Sequence, residues 1–168
     1  MATTHTFVSS GRGVMTTYAM SLVAKAMYEK GRAFIGAALL VNQKSGNAFV
    51  VLHLLCQGIE IILKALLLAK DYGYYKPRLK DLGHNLVSTA AAVRKATGLN
   101  VFTRGALVEL QSLNTYYSQH LLRYASNFDI FIDPASIPHE RVIRRAIALV
   151  RYTERKCTFN VDAIKHRG

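Results

Sequence analysis

The feature that most constrains the fold is a 22-residue apolar stretch, Ala48 to Ala69, in the middle of the chain. Its strongly polar side chains are spaced by four, three and four residues: His53, Gln57, Glu60 and Lys64. This spacing puts them on one face of an α-helix, and the other faces are apolar and must be covered. The sequence therefore predicts a long core helix, from about Ala48 to Asp71, with one polar stripe.

Two interpretations of this stripe stay open. In the first it is a solvated edge of the bundle, where a Glu60–Lys64 pair contributes only a few tenths of a kcal/mol. In the second it faces a cleft or a second subunit, where burial would force the charges to pair. The stretch is long enough to cross a bilayer, but its charged residues argue against insertion, and we expect no membrane partner.

The rest of the chain also shows helical rather than alternating periodicity, and its three prolines fall where that periodicity lapses. A first helix is predicted to start after Thr16 and Thr17 and to run past Tyr28, while Gly31 and Gly36 leave open whether it continues to about Gln43. Three more helices are predicted beyond the core helix: His84–Thr97, Arg104–Ser126 and Arg141–Lys156. Residues 72–83 and 127–138 are predicted to be loops. The fold class is therefore all-α, an up-and-down bundle of four to five helices.

The domain organisation predicted from length is one domain, since 168 residues suffice for a single hydrophobic core. Apolar residues make up 51% of the chain, which is too many for a disordered segment. We expect a flexible N-terminus at residues 1–15, a helical bundle domain at 16–157 and a basic C-terminal tail at 158–168.

The charge balance is strongly basic, with 22 Lys and Arg against 10 Asp and Glu, a net charge of +12. Such an excess attracts polyanions or anionic head groups. From His139 to the end, eight basic residues face three acids, a density that is also typical of a solvated helix face. Charge therefore favours an anionic partner without identifying it.

The sequence lacks the motifs that are typical of several classes of protein. Two cysteines, Cys56 and Cys157, provide neither a disulfide framework nor a zinc cluster, which favours a reducing, cytoplasmic location. The phosphate-binding loop Gly-x4-Gly-Lys-Ser/Thr is absent, as are His-Glu-x2-His, Cys-x2-Cys and Gly-x-Ser-x-Gly. We therefore expect no metal site and no cofactor.

Four sequence elements occur together in one known superfamily. In chain order they are Gly58-Ile-Glu60-Ile-Ile-Leu-Lys64-Ala-Leu-Leu67, Gly83-His84-Asn85-Leu86, Tyr116-Tyr117 and Arg123-Tyr124. Over about residues 48–126 the chain thus resembles the HEPN superfamily (higher eukaryotes and prokaryotes nucleotide-binding domain). The superfamily commonly has proline after the Arg-Tyr pair, where this chain has Ala125.

The resemblance implies a helical, usually dimeric bundle and one of two functions. One branch of the superfamily binds nucleotides or assists a nucleotidyltransferase. The other branch consists of metal-independent endoribonucleases, including toxin–antitoxin and defence effectors, that use Arg-x(4 to 6)-His. Fold resemblance alone does not choose between them.

Arg78 and His84 form the one pair in the sequence with the endoribonuclease spacing. The chemistry would suit RNA cleavage, because an imidazole can move the 2′-hydroxyl proton and a guanidinium can stabilise the charged transition state. About one such pair is expected by chance in this composition, and Leu79 follows the arginine where the superfamily usually has a polar residue. We expect that the two side chains are not held together and that His84 serves its helix start or the adjacent loop.

A second group of candidates lies near the end of the fourth predicted helix. Helical spacing places Tyr116, His120 and Arg123 on one face, with Tyr117 and Tyr124 beside them. Aromatic rings beside a guanidinium suit bases and phosphates, although core tyrosines would give the same pattern. His53 and His120 have an alternative interpretation as packing residues.

These observations predict a dimeric HEPN-like domain that binds a nucleotide or RNA phosphate and acts with a partner such as a nucleotidyltransferase. The predicted ligand-binding residues are His84, Tyr116, Tyr117, His120, Arg123, Glu60 and Lys64. The first alternative is a metal-independent endoribonuclease that uses Arg78 and His84 as its catalytic residues. The second is a structural dimerisation or interaction module that binds no ligand.

Overall fold

The computed structural model of the chain describes residues 15–124 and 127–156. Helices make up 80% of it, and the described residues form no strand. In chain order the helices are α1 (Thr17–Gln43), α2 (Ala48–Lys70), α3 (Tyr72–Leu82), α4 (Leu86–Thr97), α5 (Arg104–Ser118), α6 (Asn127–Phe131), a 3₁₀ turn (Pro134–Ser136) and α7 (Glu140–Lys156). The predicted all-α bundle is confirmed. The predicted flexible N-terminus and basic tail lie almost wholly outside the described residues.

Most helices begin just after a polar residue whose side chain accepts a backbone N–H of the first turn. This role explains the polar residues at the helix starts. Thr16 caps α1, Asn47 caps α2, Asp71 caps α3, and Thr103 caps α5. These caps satisfy N–H groups that have no partner within their own helix.

α2 is the centre of the hydrophobic core, and most of its side chains are buried. By length and composition it could cross a membrane, and it is the one helix in the described part of the chain for which this holds. However, 72% of its apolar window is buried inside the bundle. The other helices therefore cover its apolar surface, as they do for the core helix of a soluble domain.

α1 and α2 pack at unusually close range through two glycines. A Cβ atom on Gly31 would lie 2.6 Å from Ile62 Cγ1, and one on Gly58 would lie 2.9 Å from the Gly31 carbonyl oxygen. Real Cβ atoms do not approach other atoms this closely. The absence of side chains at these two positions is therefore what lets α1 lie directly on α2.

The prediction of a loop at residues 72–83 is wrong, because this segment is the helix α3. Pro77 lies inside it, and Asp71 caps its first turn. Tyr75, Leu79 and Leu82 pack against the core. Their spacing of four and three residues gives α3 one apolar side, and the partial burial of that side favours the helix despite Pro77.

Two other boundaries differ from the prediction. The fourth predicted helix does not continue to Ser126, since α5 ends at Ser118. The predicted loop 127–138 contains α6 and the 3₁₀ turn, and Asp133 caps that turn by accepting the N–H of Ala135.

The start of α7 is held by a side chain from another helix. The buried carboxylate of Glu109 in α5 accepts the N–H groups of Arg141 and Val142, at 2.7 Å and 3.1 Å. A negative charge at a helix N-terminus is favourable because of the helix dipole. Glu109 thus fixes α7 on α5.

Candidate functional site

The polar stripe of α2 points toward the C-terminal end of α5 and the turn between α3 and α4. Glu60 lies at its middle with only 5% of its side chain exposed, and Lys64 one turn later is 13% exposed. The interpretation of the stripe as a solvated edge is therefore wrong. The carboxylate belongs to a connected set of polar residues that we call the Glu60 cluster: Gln57, Glu60, Lys64, His84, Tyr117, His120 and Arg123.

Lys64 joins two parts of the site. Its ammonium group donates to Glu60 Oε1 at 2.7 Å and to the carbonyl oxygen of Gly83 at 2.6 Å. Gly83 has φ 51° and ψ −134°, a conformation essentially restricted to glycine. The glycine at this turn therefore allows its carbonyl to face Lys64, which fixes the turn that carries His84 against α2.

His84 lies between this glycine and Asn85, the residue that caps α4. Its Nδ1 is 3.0 Å from Glu60 Oε2, and 37% of its side chain is exposed. His84 does not itself cap the helix, so of its two expected roles, at the helix start or in the adjacent loop, the cap belongs to Asn85 instead. It extends instead from the buried carboxylate to the surface.

The charge state of Glu60 decides the role of His84. Burial alone would raise the pKa of Glu60, but hydrogen bonds from Lys64, Tyr117 and His84 together bring it below its ordinary value. An ionised carboxylate only accepts hydrogen bonds, so Nδ1 of His84 must carry the proton in this contact. The neutral form of His84 then has its free electron pair on Nε2, the other ring nitrogen.

Tyr117 closes the inner side of the cluster. Its ring is buried, and its hydroxyl donates to Glu60 Oε2 at 2.6 Å and lies 2.9 Å from Gln57 Oε1. Burial, and then the hydrogen bond to the Glu60 carboxylate, raise the pKa of Tyr117 above its ordinary value. The phenol is therefore a neutral donor that holds α5 to α2.

His120 occupies an unusual backbone position just after α5. Its φ is 61°, the left-handed conformation that a glycine commonly supplies at this point. The N–H of Leu121 donates to the carbonyl of Tyr116, and the N–H of His120 to that of Tyr117, so the helix ends in a Schellman-type turn. A histidine here costs backbone energy that a glycine would not.

This turn brings two exposed side chains to the cluster, His120 to His84 and Arg123 to Gln57. The imidazole rings of His84 and His120 are 5.0 Å apart between centroids and meet edge to face. Arg123 is exposed, with Nη2 3.5 Å from Gln57 Oε1. We call these three residues the exposed rim of the cluster.

His53 lies one turn before Gln57, with its ring 6.0 Å from the ring of Tyr117. Its Nδ1 is buried and has no hydrogen-bond partner among the described residues. Burial, and then the positive charges of Arg123 and His120, lower its pKa. His53 is therefore a neutral imidazole beneath the rim, a position the sequence did not distinguish from ordinary packing.

The predicted site residues divide into those that meet and those that do not. Glu60, Lys64, His84, Tyr117, His120 and Arg123 come together, and Gln57, which the sequence placed only in the stripe, joins them. The Tyr116 side chain is half-buried against the core, and α5 ends at Ser118, so the helix face that was predicted to carry Tyr116, His120 and Arg123 together does not form.

Arg78 lies outside the cluster. Its guanidinium stacks 3.8 Å from the ring centre of Tyr74 and donates to the Tyr74 carbonyl oxygen at 2.6 Å. In the described part of the chain, no hydrogen bond, ion pair or ring contact joins Arg78 to His84. The two residues of the predicted catalytic pair therefore have different neighbours, and the arginine that joins the cluster, through Gln57, is Arg123.

No protein-family model matches this chain, and neither a curated protein nor a solved structure matches it. The HEPN resemblance thus stays a prediction from the motifs. Within residues 15–124 and 127–156, no three His, Cys, Asp or Glu side chains are grouped as ligands for a metal ion. The site therefore consists of the imidazoles of His84 and His120 and the guanidinium of Arg123, above the buried Glu60–Lys64 ion pair.

Proposed function

We propose that the exposed rim binds the phosphate group of a nucleotide or of RNA. The observation that carries this proposal is the convergence of His84, His120 and Arg123 from two separate turns onto one surface. Two imidazoles and a guanidinium provide several N–H donors, and a phosphate provides acceptor oxygens and negative charge. The three side chains suit such a ligand in both geometry and charge.

The buried part of the cluster supports this assignment electrostatically. Lys64 neutralises Glu60, so the carboxylate does not repel an anion at the rim as an unpaired charge would. Arg123 then gives the site a positive charge, and protonation of either imidazole would add to it. The net charge of +12 attracts polyanions to the molecule as a whole.

An exposed aromatic residue next in sequence to Arg123 extends the proposal from phosphate to nucleotide or RNA. Tyr124 follows Arg123 directly, and 71% of its surface is exposed. An exposed aromatic ring next to a phosphate-binding arginine is the arrangement on which a nucleobase stacks. Of the tyrosines that the sequence suggested for stacking, we therefore propose Tyr124 for this role.

The HEPN resemblance extends the proposal to partners. On that basis we propose a cytoplasmic homodimer that acts with another protein such as a nucleotidyltransferase. Sedimentation at micromolar concentration tests the dimer independently of the ligand.

Arg123→Ala tests the phosphate site, with Arg155→Ala as its control, since Arg155 is an exposed arginine on α7 that bears the same charge. Charge-assisted hydrogen bonds contribute about 1.5–3 kcal/mol, so we expect Arg123→Ala to weaken RNA binding at least about tenfold. Arg155→Ala should change it far less. The measurement is fluorescence anisotropy at low salt with a short 2′-O-methyl oligoribonucleotide.

Equal weakening by the two substitutions would mean that binding is diffuse attraction to a basic surface, and the proposed site would be wrong. The salt dependence gives a second criterion, because removing a cation that neutralises a phosphate makes affinity fall less steeply with salt concentration. We expect a smaller slope for Arg123→Ala than for Arg155→Ala.

A further inference from the structure

A groove between α3 and α4 lies outside the Glu60 cluster and has no role in the proposed function. Its volume is 330 Å³, and its lining residues are Tyr74, Tyr75, Arg78, Asp81, Leu82, Ala92 and Lys95. Two other cavities in the described part of the chain are smaller, at 180 and 220 Å³. Sites for small molecules begin at about 300 Å³, so this groove has room for one small molecule.

The apolar part of the groove comes from both helices. Tyr75 and Leu82 of α3 and Ala92 of α4 are half-buried and pack against the core. The rings of Tyr74 and Tyr75 meet edge to face at a centroid distance of 4.9 Å. Tyr74 is 51% exposed, so part of its surface is accessible to a ligand. These side chains suit the aromatic or otherwise apolar body of a small molecule.

Arg78 gives the groove a positive charge with a fixed orientation. Its guanidinium lies 3.8 Å from the ring centre of Tyr74, and Nη1 donates to the Tyr74 carbonyl oxygen at 2.6 Å. A guanidinium carries five N–H donors, and among the described residues this is the one hydrogen bond that Arg78 makes. The stacking and the hydrogen bond hold the group in place and leave other donors for a planar carboxylate.

The charged side chains of the groove are not paired with one another. Asp81 follows Arg78 by three residues, a spacing at which opposite charges on a helix can pair. Within residues 15–124 and 127–156, however, neither of them nor Lys95 takes part in an ion pair. The groove thus has two positive side chains and one negative side chain. One negative charge on a ligand would balance this excess, whereas a second would lie unpaired beside Asp81.

We propose that this groove binds a small organic acid, with a single carboxylate on an aromatic or otherwise apolar body. The carboxylate accepts hydrogen bonds from the remaining N–H groups of Arg78, and Lys95 provides a second positive charge. Two parallel N–H···O bonds are the geometry in which a guanidinium commonly binds a carboxylate. The apolar body packs on Tyr75 and Leu82. This binding is separate from that of phosphate at the rim, since the two sites share no residue.

The probe is 2-naphthoate, a carboxylate on a fused aromatic ring system, and the measurement is ¹H–¹⁵N NMR of the purified full-length chain. We expect saturable shifts of the backbone amide signals of Tyr75 and Ala92. Acetate keeps the charge without the rings, and 2-naphthylmethanol keeps the rings without the charge, so neither should saturate over the same concentration range. 2-Naphthyl phosphate, which carries more negative charge at neutral pH, should bind no more tightly than 2-naphthoate.

Three substitutions test which side chains hold the probe. Arg78→Ala should weaken the binding of 2-naphthoate at least about tenfold, because it removes charge-assisted hydrogen bonds. Lys95→Ala should weaken it about two- to fivefold, as expected for an exposed point charge. Lys80→Ala is the matched control, since it removes an exposed cation of α3 that does not line the groove, and the affinity should not change. All three side chains are exposed, so each variant should stay folded.

Three results would overturn this inference. Equal weakening by Arg78→Ala and Lys80→Ala would mean diffuse attraction of an anion to a basic surface. Shifts of the imidazole signals of the rim, with none at the groove, would place the carboxylate at the rim instead. No saturable binding of 2-naphthoate by the wild-type chain would leave the groove without this ligand, including the case in which a second copy of the chain covers it. None of these results bears on RNA binding, which Arg123→Ala tests separately.

Discussion

Glu60→Ala is expected to lower the free energy of unfolding by about 3–5 kcal/mol, the cost of breaking a buried ion pair by removing one partner. The substitution leaves Lys64 in a site that is 13% exposed, with the Gly83 carbonyl as its remaining partner. It also leaves the hydroxyl of the buried Tyr117 without its 2.6 Å acceptor. Urea denaturation followed by circular dichroism measures the change.

The matched control is Glu140→Ala, which removes the acid of another i, i+4 pair, Glu140–Arg144. Both of its side chains are mainly exposed, at 81% and 67%, so solvent screens the attraction and the stability should hardly change. If the free energy of unfolding decreased equally in the two variants, the burial of Glu60 would not be the reason that its ion pair stabilises the fold.

The same carboxylate makes stability depend on pH in a defined direction. Because the folded chain lowers the pKa of Glu60, the unfolded chain binds the proton more readily. The stabilisation that ionised Glu60 contributes is therefore complete above the ordinary pKa of glutamate. It is lost as the pH falls through the lowered pKa of Glu60 in the folded chain. Glu60→Ala should remove part of the acid sensitivity of the wild-type chain.

Gly58→Ala is expected to be the other strongly destabilising substitution, by about 3 kcal/mol, the upper part of the range for overpacking. Its new methyl group would lie 2.6 Å from Ile35 Cγ1 and 2.9 Å from the Gly31 carbonyl oxygen. A backbone oxygen cannot rotate away, so α1 would have to move off α2. Thermal or urea denaturation measures the decrease in stability.

Gly36→Ala is the control, since Gly36 is also a helical glycine and a Cβ there meets nothing within 4 Å. Alanine has the higher helix propensity, so we expect an increase in stability of about 0.5–1 kcal/mol. The two substitutions thus add the same methyl group, but one should lower the stability of the fold and the other should raise it. Destabilisation by both would contradict the close packing of α1 on α2.

The sequence predicted the bundle well because its main signal, apolar periodicity, is local. The stripe in α2 was visible from spacing alone, but its burial was not, since that depends on α4 and α5 folding against it. α3 was missed because Gly73 and Pro77 suggested a loop. Yet Tyr75, Leu79 and Leu82 already carried the helical spacing that fixes it on the core.

The site was only partly predictable for a physical reason. Glu60 and Tyr117 are 57 positions apart, and their 2.6 Å contact arises from the packing of two helices. The end of α5 was placed too late because no glycine marks it. A histidine occupies the left-handed position, so Tyr117 faces the cluster and Arg123 reaches the rim from a turn rather than from a helix face.

The central claim, that phosphate binds at the exposed rim, is tested most directly by the imidazole signals in a ¹H–¹³C NMR titration with a 2′-O-methyl oligoribonucleotide. We predict that His84 and His120 shift together on binding. The imidazole signal of His139 should not shift, because its Nδ1 contacts the Ile137 carbonyl oxygen just before α7, away from the rim. Shifts at His139 with none at His84 and His120 would contradict the claim.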